Sequence, residues 1–167
     1  DPAQVRSCYA ESKRLGETMC VCWMHQHGVP VKMVRPFHTY GPGMLLDDGR
    51  VYADFIADIV SGRDIIMKSD GSAMRAFCYL RDATIGFLTV LMKGENGQAY
   101  NIGNPLQEIS ILNLAEKLVG LFPERNLKVI RHESTQQSGY LKSPVSRNAP
   151  DITKANRLGW TPYVSIE

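Results

Sequence analysis

No apolar run in this 167-residue chain approaches the roughly 20 residues that a membrane-spanning helix needs, and no basic, apolar, small-residue succession marks a cleavable leader. No membrane partner is expected, and the expected compartment is the cytoplasm. Cysteine is sparse: the four present lack the spacing of a disulfide framework, which favours free thiols in a reducing compartment. A marked excess of one charge sign is missing too. The net charge is +2 with both signs interspersed, so there is no basic stripe to track a phosphate backbone and no nucleic-acid partner is expected. Internal repeats and low-complexity tracts are absent. So is any G-x-G-x-x-G or G-x-x-G-x-x-G, the turn that lets a pyrophosphate approach a helix N-terminus. The chain also opens Asp1-Pro2 with no initiator methionine, so an upstream segment is expected to have been removed, and the function read here to belong to a longer protein.

What is present reads as an α/β pattern. With 44% hydrophobic residues the chain can bury a core of ordinary size. Residues 8–27 are rich in helix formers, with Leu15, Met19 and Trp23 at four-residue spacing and Gly28 placed to cap the end. Residues 31–35 read as a strand closed by Pro36. The segment 37–48, containing Gly41-Pro42-Gly43, has neither period and reads as a loop. A helix over 51–61 carries the stripe Val51, Phe55, Ile59 and stops at Gly62. Strands are expected at 64–67 and 75–80 across the turn Ser69-Asp70-Gly71-Ser72. Asp82 is placed to cap a helix running to Lys93, and Ser110 to cap one over 111–121. Further strands are expected at 99–102 and 127–131, and a short last helix at 151–158. The polar stretch 132–149 has the length of a lid or binding loop.

The stretch Tyr9-Ala-Glu-Ser-Lys13 puts a phenol and an ammonium four residues apart, hence on one helix face. A nearby ammonium favours the phenolate, so such a pair can take a proton from a hydroxyl. Alone, a Y-x-x-x-K is more often an ordinary helix face. Its company changes the reading: YAESKRLGETMC, VPVKMVRPFHTYGPG, DDGRVYADFI, DGSAMRAFCYLRDAT, AYNIGNP and PDITKANRLGWTP follow in order along nearly the whole chain.

This succession resembles the C-terminal half of the extended short-chain dehydrogenase/reductase family, in its NAD-dependent nucleotide-sugar epimerase/dehydratase branch. GPGMLLDDGRV is most similar to UDP-glucuronate decarboxylase-type members. The resemblance implies an incomplete Rossmann-like layer plus the smaller C-terminal substrate-binding domain. Residues 1–36 would complete the NAD-binding domain, and 37–167 would be mainly substrate-binding, with 99–103 returning to the Rossmann sheet. It implies Tyr9 as general base and acid, and Lys13 as the residue that holds the nicotinamide ribose and favours the Tyr9 phenolate. Pro36 and His38 would lie against cofactor.

Arg35 to Gly43 matches the family's R-x-F-N-x-Y/F-G-P segment, with His38 in place of the substrate-contacting Asn. Imidazole is bulkier and titrates near neutrality. Asp54 stands where close relatives carry Asn, and a carboxylate beside a diphosphate would repel it, which argues for a changed substrate or pose. Arg75 and Arg147 are the implied grips on the diphosphate, the guanidinium fork suiting phosphate oxygens, and Arg50, beside Gly49 at a helix start, is a further cation of the same expected pocket.

The main NAD site and the catalytic Ser/Thr are expected upstream of Asp1, which would leave the isolated chain inactive. The expected partners are a nucleotide-diphosphate sugar and a second copy of the chain in a homodimer. No metal is expected: Cys20, Cys22, His25 and His27 cluster in sequence, but on a helix the two members of each pair point about 200° apart. Against the enzyme stands a non-catalytic sugar-nucleotide-binding or assembly module on the same scaffold, which the departures at His38 and Asp54 keep open.

Overall fold

Helix α1 (Ser7–His27) leads into strand β1 (Met33–Pro36), and between them Gly28 takes a left-handed φ of 66° while its N–H closes the helix on the Met24 carbonyl. The computed structural model describes Val5, residues 7–131 and residues 145–166. After β1 come β2 (Thr39–Tyr40), α2 (Val51–Val60), β3 (Ile65–Met67), β4 (Met74–Ala76), β5 (Cys78–Tyr79) and α3 (Leu80–Lys93). Next are β6 (Ala99–Ile102), a 3-10 turn (Pro105–Gln107), β7 (Glu108–Ser110), α4 (Ile111–Gly120) and a second 3-10 turn (Pro123–Arg125). The chain closes with β8 (Val129–Arg131), β9 (Arg147–Asn148) and α5 (Thr153–Asn156).

Pairing is mostly parallel, as expected of strands joined through helical crossovers. β1 pairs with β6 from Met33↔Ala99 to Pro36↔Ile102, β2 with β5, and β3 with β8. In the remaining sheet β4 lies between antiparallel β7 and parallel β9.

Two apolar clusters form the core. One gathers Phe55 and Ile59 of α2, Ile65 and Met67 of β3, Phe77, and Leu114 and Leu118 of α4. The other gathers Val90 of α3, Tyr100 and Ile102 of β6, Ile152, Ala155 of α5 and Trp160. They meet at consecutive residues, Phe77 in the first cluster and Cys78 in the second, because extended backbone turns successive side chains to opposite sides. The last residues strap the two together. Trp160 Nε1 donates to the Asp82 carbonyl, while the Asp82 carboxylate accepts the N–H of Tyr163 and of Val164, each at 2.7 Å.

Several expectations need correction. Asp82 caps nothing: α3 begins two residues earlier, and Asp82 is buried holding the strap. Pro36 is the last residue of β1 rather than its stop, and the 37–48 loop contains β2. The 75–80 strand is two, broken at Phe77, where the chain passes from one sheet to another. The last helix is α5 alone, four residues long. The stripe on α1 is not a core stripe, for none of the helix's described side chains is buried and Trp23 is 55% exposed. Ser110 does cap α4, its hydroxyl accepting the Asn113 N–H. Of the long polar stretch, residues 132–144 lie outside the described residues.

Candidate active site

An open groove of about 1140 Å³ separates α1 from β1, and Tyr9, Lys13, Glu17, Arg35 and Pro36 all line it. Helical spacing accounts for the α1 members, since Tyr9, Lys13 and Glu17 follow at four-residue steps on one face. Tyr9 is 70% exposed, and the Lys13 ammonium stands 5.3 Å from the centre of its ring. Glu17, one turn further, receives a two-pronged ion pair: Arg35 donates through Nε and Nη2 to its two carboxylate oxygens at 2.6 Å each. That contact holds the Glu17 carboxyl below the ordinary carboxylate range and raises Arg35, partial desolvation opposing both shifts.

Beyond Pro36 the backbone is tied at successive points. The Phe37 N–H donates to Ile102, and the His38 carbonyl accepts the Cys78 N–H. The His38 imidazole packs against Phe77, with Nδ1 buried and no hydrogen-bond partner among the described residues. Burial, and then the positive charge of Arg75, push His38 below its ordinary value; a contact with the Ala76 backbone opposes them. The near-neutral titration expected of His38 is therefore moved down.

Arg75 and Arg147 come from adjacent strands, but the register sets Asn148, not Arg147, beside Arg75. Arg75 donates to the carbonyls of Met74, Ser146 and Val145, and Arg147 makes a two-pronged pair with Glu108 at 2.7 and 2.8 Å. Arg50 sits just ahead of α2, 2.8 Å from Asp48, in a small cleft with Thr39 to Leu45 and Leu80. Asp54 faces a different cleft, of about 670 Å³, between α2 and β3. There Asp54 meets Lys68 at 2.7 Å and Asp58 meets Arg63 at 3.0 Å. The structure thus brings Tyr9, Lys13 and Pro36 together, and sets Arg50 and Asp54 around α2.

Five residues, Glu17, Lys68 and three tyrosines, escaped sequence reasoning. Glu17 was legible, being eight residues from Tyr9 on the same face. Lys68 was not, since nothing local relates it to Asp54. Tyr40, Tyr52 and Tyr79 converge beside Gly41-Pro42-Gly43, with Tyr40 ring centres 4.9 Å from Tyr52 and 5.5 Å from Tyr79. Burial pushes the Tyr40 phenol up to about 12, so it stays protonated near neutral pH and is poorly suited to act as a base. Among the described residues no three His, Cys, Asp or Glu side chains are assembled to hold a metal ion.

Residues 1–103 match the NAD dependent epimerase/dehydratase family. UDP-glucuronic acid decarboxylase 5 of Arabidopsis thaliana is 40% identical over 99% of this chain and 46% of its own length. UDP-glucuronic acid decarboxylase 1 of Xenopus tropicalis is 38% identical over 100% of this chain and 38% of its own. The chain therefore spans half or less of these relatives. Among solved structures, Pal from Bacillus thuringiensis superposes with a TM-score of 0.77 at 29% identity, over 95% of this chain and 49% of that one. UDP-glucose 4-epimerase of Thermotoga maritima, solved with UDP-glucose, superposes with a TM-score of 0.80 at 24% identity, over the same shares, a likeness of fold. No described helix is long and apolar enough to cross a membrane.

Proposed function

Because the chain belongs to the NAD dependent epimerase/dehydratase family, we propose that it supplies the acid/base helix and the substrate side of an enzyme that modifies a nucleotide-diphosphate sugar through a transient keto-sugar. The observation that carries this reading is the placement of Tyr9 and Lys13 on one face of α1 over an open groove. Tyr9 takes the proton of a sugar hydroxyl and later returns it. Lys13 favours the phenolate that does so.

The donor set suits the ribose end of a dinucleotide, a hydroxyl and an ammonium side by side above Pro36, so Tyr9, Lys13 and Pro36 are the residues that would hold NAD. NAD, when bound, supplies hydride acceptance and return. The sequence has no glycine-rich turn to meet the pyrophosphate, so in this reading the rest of the cofactor is held by residues outside the chain, and the chain alone does not turn over. Residues 1–36 and 99–103 form the cofactor side, and the remainder of 37–167 the substrate side. The parallel β1–β6 pair and the groove beside it support that division. Arg75 and Arg147 are assigned to the diphosphate, with His38, Arg50 and Asp54 around the rest of the ligand. The exposed apolar residues of α1, Leu15, Met19 and Trp23, suit a homodimer.

The test is turnover of UDP-glucuronate by the full-length protein with NAD, followed by release of carbon dioxide and appearance of a UDP-pentose. Tyr9→Phe keeps the ring and removes the proton acceptor. It should lower kcat by about 10² to 10⁴ with ligand affinity nearly unchanged. Unimpaired turnover in that variant would remove Tyr9 from the mechanism. Binding of UDP-sugars without turnover of any would favour the non-catalytic module.

A further inference from the structure

Helix α1 carries Tyr9 and Lys13, yet none of its described side chains is buried, and with apolar cover limited to partly covered residues such as Val21 and Met24, packing gives only a weak hold on its rotation about its own axis. What reaches across the groove is the Arg35 fork on Glu17. A planar guanidinium meeting a planar carboxylate through two bonds of 2.6 Å fixes direction as well as distance, which one point contact does not. The two ends are also well placed. Glu17 lies one turn past Lys13 and two past Tyr9 on the groove-lining face. Arg35 lies in β1, paired with Asn101 of β6, and the backbone that follows is held at Phe37 by Ile102 and at His38 by Cys78.

We propose that Glu17 and Arg35 are positioning residues, a bridge that sets the angle of the Tyr9–Lys13 face relative to the β1 backbone leading to His38. This rests on the function proposed above. The bridge touches no reacting atom; it acts through the placement of Tyr9, whose proton transfer tolerates little displacement. A second observation agrees. Glu17 sits below the ordinary carboxylate range and Arg35 above its own, so the bridge is charged on both sides at neutral pH.

The test is a double-mutant cycle in the full-length protein with UDP-glucuronate and NAD. Glu17→Gln keeps the shape and weakens the fork; Arg35→Gln removes the cation. Each should lower kcat about tenfold while KM stays within about twofold, and the double variant should lose no more than the worse single, because both changes break one bridge. Arg35→Lys, which keeps the charge without the fork, should recover only part of the loss.

Amide hydrogen exchange supplies a readout that needs no turnover. Glu17→Gln should speed exchange over residues 9–17 and leave α4 as it was. Unchanged kcat and unchanged exchange in Glu17→Gln overturn the bridge, as does an additive double variant. If the wild type turns over no nucleotide sugar, the proposed function falls, and exchange alone decides whether Glu17 and Arg35 hold the helix.

Discussion

Lys68 Nζ stands 2.7 Å from Asp54 Oδ2, although 14 residues separate the two in sequence. The Asp54 carboxylate therefore already has a cation beside it, and the repulsion toward a diphosphate expected from sequence is offset. Both side chains line the cleft between α2 and β3, each still partly open to solvent, 52% for Lys68 and 25% for Asp54. A pair so exposed contributes little to stability, and its weight falls on what enters the cleft.

Removing the cation alone should uncover the acid. Lys68→Met in the full-length protein is expected to weaken UDP binding about three- to tenfold, and adding Asp54→Asn to it should restore most of the loss. Calorimetric titration of wild type, both singles and the double decides this. Equal affinity in wild type and Lys68→Met would show that the pair lies outside the ligand's reach.

Arg75 is held by main-chain carbonyls and pairs with no carboxylate among the described residues, which suits a guanidinium that exchanges carbonyl contacts for phosphate oxygens. Arg75→Ala should weaken UDP binding by about 1.5 to 3 kcal/mol, the range for a hydrogen bond to a charged group. UMP should lose less, and added salt should narrow the difference. Melting curves of the variant separate lost binding from lost folding. Equal losses for UDP and UMP would reject the diphosphate assignment.

His38 has a folded pKa below its unfolded value of about 6.5, so between the two the unfolded chain binds the extra proton. Stability should therefore fall as the pH drops through about 6.5, and level off below the folded value. His38→Asn has nothing to titrate there. Melting temperatures of the two proteins, compared at pH 7.5 and pH 5, should show wild type losing more on acidification. Parallel losses would mean that the imidazole is not desolvated as the structure has it.

Asp82 is the acceptor for two backbone N–H groups of the closing strap. Asp82→Ala leaves both without that acceptor and should cost roughly 2 to 4 kcal/mol in urea unfolding. Proteolysis should then begin in residues 163–166, because Tyr163 and Val164 lose their side-chain acceptor while the residue-82 carbonyl that takes the Trp160 Nε1–H remains. A variant as stable as wild type would show that the apolar contacts of Trp160 hold the strap unaided.

Local chemistry in the sequence was enough for the α/β class, for α1 with its Gly28 close, for the Ser110 cap, and for Tyr9 and Lys13 sharing a face. Each rests on neighbours within a turn or two, where spacing converts directly into direction. The burial of Asp82 depends on residues 81 and 82 positions away, and the partner of Asp54 on one 14 away. Such pairings follow from which sheets the strands join and in what register, a matter of long-range packing free energy that no local pattern carries. The same holds for Phe77 and Cys78. Sequence shows one apolar run there, and only the tertiary structure turns its adjacent side chains into two different cores, because the backbone between them leaves one sheet and enters another.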